Sequence, residues 1–130
     1  MMELQPIGIV QAPDPDSEAM EGSERVLVIE VYPEYEKALS GIEELNEIQV
    51  LYWMHELDKS ARAILMTHPQ GNTSVPKRGV FALRSPMRPN PIGSSTVQLI
   101  RRDGNKLVVA GLDAFVGSPV IDIKHPGGKK

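Results

Sequence analysis

The chain contains eight short runs of β-branched and other apolar residues, each ended by glycine, proline or a polar cluster. Runs of this length and composition are typical of β-strands, and turns about every ten residues favour a barrel or a sandwich. We therefore expect a mainly β fold, a single small β-barrel of about seven or eight strands with one or two short helices. The predicted strands are residues 7–10, 25–32, 47–55, 61–68, 79–84, 95–101, 106–112 and 120–124.

Local signals add one hairpin, one helical segment and one loop. Asp103-Gly104 lies between two predicted strands and favours a hairpin, because glycine supplies the positive φ that such turns require. Residues 33–45 carry a helical pattern that Gly41 interrupts, which predicts the short helices. Residues 11–24 hold five acids and two prolines with little to bury, so we expect a loop, with a lid as one role.

Length and composition bound the class of protein. With 130 residues and 41% apolar content, we expect one domain over residues 1–130 and no additional C-terminal domain. The absence of cysteine excludes a disulfide framework and thiolate metal ligands, which fits a reducing cytoplasm. The three histidines are far apart in the sequence, so we expect no metal site. The first residues are acidic and reach Pro6 at once, which predicts neither a signal peptide nor a membrane anchor.

Charge is distributed unevenly along the chain. Residues 1–58 carry fourteen acids against two cations, whereas residues 59–102 carry eight cations and no acid. An unmixed positive block favours an anionic partner such as polyphosphate or a nucleic-acid backbone. The alternative is that folding brings the acidic half alongside and neutralises the block. The eight cations are Lys59, Arg62, Lys77, Arg78, Arg84, Arg88, Arg101 and Arg102.

The stretch RSPMRPNPIG at residues 84–93 places three prolines between two apolar runs. Proline cannot donate to a sheet and restricts the residue before it, so this stretch predicts a stiff arch between two strands. In such an arch, the guanidinium groups of Arg84 and Arg88 suit phosphate or carboxylate. The alternative is that arch side chains tie the arch to the barrel; the residues favour this structural role for Asn90 and the anion-binding role for Arg88.

Standard catalytic signatures are absent from the sequence. There is no phosphate-binding loop, dinucleotide fingerprint, zinc-protease motif or nucleophile elbow. His55 stands in an apolar run beside Trp53 and Glu56, where a lone histidine is more typical of packing than of catalysis. Residue chemistry alone thus indicates a small β-barrel with a rigid basic arch, and an RNA-binding module as its function.

Two sequence blocks extend this interpretation. GVFALRSPMRPNPIG at 79–93 and LDAFVGSPVIDIKHP at 112–126 resemble the paired signature of the TrmO family. The segments QPIGIV and SGIEELNEIQVLYWMHE match the family in the same order, so the resemblance covers most of the chain. Members of that family are β-barrel enzymes that use S-adenosylmethionine to methylate N6 of threonylcarbamoyladenosine, 3′ of the tRNA anticodon.

The resemblance implies S-adenosylmethionine as cofactor, the tRNA anticodon loop as partner, and a homodimer with the cofactor near its interface. It assigns cofactor contacts to His55, Glu56, Arg84, Asp113, Ala114, Phe115, Val116 and Gly117. Arg88 and Asn90 are motif positions that we assign to the reaction itself. A base or polarising group is expected because the carbamoylated N6 is a poor nucleophile, and the candidates are Asp122, Asp113 and His55. The second function considered is a non-catalytic nucleotide- or RNA-binding barrel.

Overall fold

The computed structural model describes residues 2–13 and 25–127, and within these ranges the chain forms eight strands. Six of them close an antiparallel barrel in the order β1-β2-β7-β6-β3-β8, with β8 returning to β1. The strands are β1 (Gly8–Gln11), β2 (Val26–Val31), β3 (Glu47–Trp53), β4 (Met66–Thr67), β5 (Arg78–Gly79), β6 (Ile92–Asp103), β7 (Lys106–Ala110) and β8 (Pro119–Lys124). The predicted mainly β class is confirmed, but the barrel has six strands rather than seven or eight.

Alternation of side chains along the strands builds the core. In β3, the side chains of Ile48, Val50 and Tyr52 are buried inside the barrel, while the residues between them are only partly covered. The interior is filled by branched side chains from every barrel strand, as a small closed barrel requires. Closure gives each barrel strand two neighbours, so no long edge is left exposed.

Two short 3-10 helices follow β2, at Pro33–Leu39 and Ile42–Glu44, and confirm the helical expectation for residues 33–45. Gly41 separates them with a φ of 86°, a left-handed value that glycine adopts without strain. The predicted hairpin is also confirmed, since β6 and β7 pair antiparallel around Gly104, whose φ is 62°. Residues 14–24 of the expected acidic loop lie outside the described residues.

Two predicted strands are wrong. Residues 61–68 and 79–84 form instead a short helix α1 (Lys59–Arg62), a 3-10 helix at Val80–Ala82, and the two-residue strands β4 and β5. The apolar side chains of this region point largely to solvent rather than alternating in and out, because the barrel has already closed with six strands. None of the helices in the described ranges is long and apolar enough to cross a bilayer.

Candidate active site

Three loop segments meet at one rim of the barrel. β3 runs antiparallel to both β6 and β8, with Trp53 opposite Ile92 and Tyr52 opposite Val120. The end of β3 therefore lies beside the starts of β6 and β8. This register brings together three stretches that are distant in the sequence: residues 54–57 after β3, the arch at 84–91 before β6, and residues 112–118 before β8.

His55 is held from both sides at this rim. Its Nε2 lies 3.2 Å from Oε1 of Glu56, and a 3.3 Å hydrogen bond joins its Nδ1 to the hydroxyl of Ser118. Ser118 is 1% exposed, whereas the His55 side chain keeps about a third of its surface in solvent (32%). The imidazole is therefore oriented but accessible, which is the condition for taking or passing a proton.

Tyr52 anchors the segment at 112–118 through a hydrogen bond. Its hydroxyl donates to the carbonyl oxygen of Asp113 over 2.5 Å and lies 3.4 Å from the hydroxyl of Ser95. Tyr52 also lines a cavity of about 260 Å³, together with Met54, Glu56 and Phe115. The cavity therefore offers apolar surface, from Met54 and Phe115, beside the carboxylate of Glu56.

Seven of the eight sequence-predicted cofactor residues, all except Arg84, lie at this cavity or beside its lining. Glu56, Asp113, Ala114 and Phe115 line it directly, and His55 is joined to one of its walls through Ser118. A Cβ built on Gly117 would be 3.8 Å from Nε2 of His55, and the φ of Gly117 is 94°. The Val116 side chain is exposed beside them.

Hydrogen bonds to backbone carbonyl groups hold the arch in place. Nε of Arg62 donates to the Pro89 carbonyl over 2.8 Å, and the Met54 amide donates to the Pro91 carbonyl over 2.7 Å. Arg88 donates through Nε to the Ser85 carbonyl over 3.0 Å and through Nη1 to the Ile92 carbonyl. The guanidinium of Arg88 therefore ties the two ends of the arch together.

Arg84 is exposed and lines two grooves, both of which include residues of the arch. The first groove, about 660 Å³, includes His68, Met87 and Pro86, which also lines the cavity beside Glu56. The second, about 520 Å³, includes Asn90 and Arg88. Pro86 lines both the cavity and the first groove, and Arg84 lines both grooves. We call the cavity and the two grooves together the rim depression.

Asp122 lies elsewhere. It follows Ser118 by four residues, roughly 13 Å along an extended strand, and lines a separate cavity of about 580 Å³ with Tyr35 and Leu39. Its Oδ1 accepts from the Ile123 amide over 2.9 Å and is 3.3 Å from Nζ of Lys124. The structure does not bring Asp122 together with the other candidate residues.

The basic block divides into two parts. Arg101 and Arg102 lie at the far hairpin and pair with acids, at 2.8 Å to Asp103 and 3.3 Å to Glu43 respectively. A hydrogen bond to its own backbone, followed by the contact with Arg102, lowers the pKa of Glu43. In contrast, the side chains of Arg84, Lys77 and Arg78 are exposed and make no hydrogen bond or ion pair within the described residues. Neutralisation by acids thus holds for Arg101 and Arg102, whereas Lys77, Arg78 and Arg84 present free cationic side chains in the described part of the chain.

The sequence did not reveal the roles of Tyr52, Ser118 and Arg62, because each acts through a partner distant in the chain. Tyr52 gave one available signal, as it is an aromatic residue with a polar end at an inward position of a strand. Within the described ranges, no group of three or more His, Cys, Asp or Glu residues is placed to hold a metal ion.

Comparison with known proteins agrees with this architecture. The model of the tRNA-methyltransferase O N-terminal domain family matches residues 14–126. An S-adenosyl-L-methionine-binding protein of Archaeoglobus fulgidus is 46% identical over 127 residues, covering 95% of this chain and 88% of that protein. A probable S-adenosyl-L-methionine-binding protein of Methanocaldococcus jannaschii is 40% identical over 125 residues, covering 95% and 91%.

Longer relatives match this chain over only part of their length. The crystal structure of TrmO from Pseudomonas aeruginosa is 27% identical with a TM-score of 0.66, and the match covers 95% of this chain and 55% of that one. A probable S-adenosyl-L-methionine-binding protein of Archaeoglobus fulgidus is 41% identical over 128 residues, which are 34% of its length. The chain therefore spans about half of the solved TrmO chain and a third of this relative.

The chain is a closed, six-stranded antiparallel β-barrel with one cavity and two grooves that residues of the rim segments line. The chain belongs to the tRNA-methyltransferase O N-terminal domain family. The family expected from the two sequence blocks is confirmed.

Proposed function

We propose that this protein is an S-adenosylmethionine-dependent tRNA methyltransferase acting on N6 of threonylcarbamoyladenosine beside the anticodon. The observation that carries the proposal is the meeting of the residue pair His55-Glu56, Arg84 and the segment 113–117 at one rim of the barrel. These are the positions to which the family resemblance assigns cofactor contacts. The names of the relatives from Archaeoglobus fulgidus and Methanocaldococcus jannaschii support the same cofactor.

The residues around the depression fit this cofactor. Its sulfonium carries a positive charge, for which Glu56 and Asp113 offer carboxylates, and Met54 and Phe115 offer apolar surface. Its terminal carboxylate suits the fork of Arg84. The cavity beside Glu56, at about 260 Å³, is small for such a ligand, and Pro86 also lines the groove of about 660 Å³. We infer that the ligand occupies both.

Methyl transfer depends mainly on positioning and on exclusion of water, since the bound cofactor supplies a methyl group already activated on sulfur. The arch at 84–91 and the segment at 112–118 provide fixed walls for the bound ligand. Of the three candidate bases, the rim location supports His55 and Asp113 over Asp122. Arg88 contributes by holding the arch, and Asn90 by offering an amide to the substrate.

We propose further that residues 1–130 act as one barrel domain, that two copies form a homodimer, and that the protein works in the cytoplasm. The depression is open, and the exposed side chains of Phe115 and Val116 beside it offer apolar surface for a second subunit. The lack of cysteine is typical of reducing compartments.

Calorimetry with S-adenosylmethionine, followed by a methyl-transfer assay on tRNA carrying threonylcarbamoyladenosine, tests the proposal. We expect saturable binding of one ligand per subunit, weakened by Glu56→Gln and Arg84→Ala, with transfer lowered by His55→Gln. Glu44→Gln, an exposed change outside the depression, is the matched control. Absence of binding at millimolar ligand favours a non-catalytic RNA-binding barrel, and loss of transfer in Asp122→Asn alone contradicts the assignment of the base.

A further inference from the structure

Phe81 is the most exposed large apolar side chain among the described residues, with 88% of its surface in solvent. It lines the groove of about 520 Å³ that also contains Arg84 and Asn90. We propose that this groove binds an unpaired nucleotide of an RNA substrate, with the base stacked on the Phe81 ring. The inference rests on the proposed function and adds a location for the RNA base, separate from the cavity beside Glu56.

The backbone around Phe81 is fixed although its ring is free. The Val80 side chain is buried, its amide donates to the Leu65 carbonyl over 2.9 Å, and the Leu83 amide donates to the Val80 carbonyl over 3.3 Å. An aromatic ring held in solvent by an ordered backbone loses little freedom when a base stacks on it. The ring is therefore prepared for stacking.

Asn90 supplies polar recognition in the same groove. Its neighbours Pro89 and Pro91 are held through their carbonyl groups, so the position of Asn90 is set. The Asn90 carbonyl accepts from Ile92, but its side-chain amide has no partner within the described part of the chain. An amide offers both a donor and an acceptor, which matches the edge of an unpaired base.

Charge selects RNA over a second copy of the protein. Arg84 lies in the groove, Lys77 and Arg78 precede Phe81 in the chain, and residues 59–102 contain no acid. Such a surface attracts phosphates and repels an identical surface. One nucleotide accounts for all three features: its base stacks on Phe81, the edge of the base meets the Asn90 amide, and the RNA phosphates lie along the arginine and lysine side chains.

Fluorescence anisotropy with a labelled single-stranded heptaribonucleotide containing adenine, measured without cofactor, tests this proposal. We expect Phe81→Ala to weaken binding about tenfold without changing its salt dependence. We expect Arg84→Ala to lower the slope of log affinity against log salt by about 0.7. Phe81→Tyr should bind like the parent protein, as should the control Leu65→Ala, an exposed apolar residue outside the groove.

Three outcomes overturn the proposal: equal binding by Phe81→Ala and the parent, preference of the parent for duplex RNA, or loss of self-association instead of RNA binding in Phe81→Ala. Melting temperatures of all variants exclude unfolding as the cause of a change.

Calorimetry with S-adenosylmethionine separates this proposal from the preceding one. Normal cofactor binding without RNA binding removes the base site alone, whereas RNA binding without cofactor binding removes the methyltransferase assignment alone.

Discussion

Gly93 lies directly against the ring of Tyr52, so that a Cβ built on Gly93 would be 2.4 Å from two ring carbons. The relationship links the two sequence blocks, because Gly93 ends the arch motif and the Tyr52 hydroxyl holds the Asp113 carbonyl. Without a side chain at position 93, the Tyr52 ring can fill the end of the barrel and reach the segment at 112–118. Gly93 is therefore required for close packing.

Gly93→Ala should lower the free energy of unfolding by about 1–3 kcal/mol, because the added methyl group overpacks the Tyr52 ring. Urea denaturation measures this change. The control is the same substitution in a Tyr52→Leu background, where the clashing ring atoms are gone and the added loss should be much smaller. Equal losses in both backgrounds would show that the close approach has no energetic consequence.

Arg88→Ala should lower the free energy of unfolding by about 2 kcal/mol, because both ends of the arch lose a charged donor. Arg88→Lys should restore little, since an ammonium lacks the planar fork that reaches two carbonyls. Arg84→Ala, by comparison, should leave the melting temperature unchanged and weaken cofactor binding. An Arg88→Ala protein with unchanged stability and impaired transfer would instead indicate that Arg88 contacts substrate.

Arg62→Met should loosen the arch and change the fluorescence of Trp53, the single tryptophan of the chain. The guanidinium of Arg62 lies 5.7 Å from the centre of the Trp53 ring and its Nε holds the Pro89 carbonyl. We expect a loss of about 1–2 kcal/mol in unfolding free energy, combining the cation–π contact and the hydrogen bond. Unchanged emission and unchanged stability would contradict this role.

Asp58→Ala should lower the melting temperature at neutral pH, because Asp58 is the N-cap of the helix that carries Arg62. The Ser60 hydroxyl, followed by the Ala61 amide, lowers the pKa of Asp58 below its ordinary value of 3.8. A lowered pKa means that the stabilisation is present above the unfolded value and is lost as pH falls through the folded value. The difference between Asp58→Ala and the parent should therefore shrink below about pH 3.8, as thermal melts across pH can measure.

Local signals predicted several elements well. Gly104 specified the β6–β7 hairpin, Gly41 separated the two 3-10 helices, and the apolar run at 47–55 predicted β3. Residues 61–68 and 79–84 were mispredicted because composition reports apolar content but not burial. Leu65 and Phe81 resemble strand residues in sequence, yet both are exposed in the fold.

For the site, the sequence by itself determined the stiffness of the arch, the cationic character of residues 59–102 and the two motif blocks. Proline restricts the backbone, and arginine and lysine carry their charge, whatever the fold around them. Only the tertiary structure decided which side chains meet. The antiparallel register of β3 with β6 and β8 placed His55 beside Ser118, Tyr52 beneath Asp113 and Asp122 away from the rim. The fold also directs the Arg88 guanidinium to the arch carbonyls and leaves the Arg84 side chain without a partner among the residues that the structure describes. Hydrogen bonds form between groups that are close in space, and the order of residues alone does not specify that proximity.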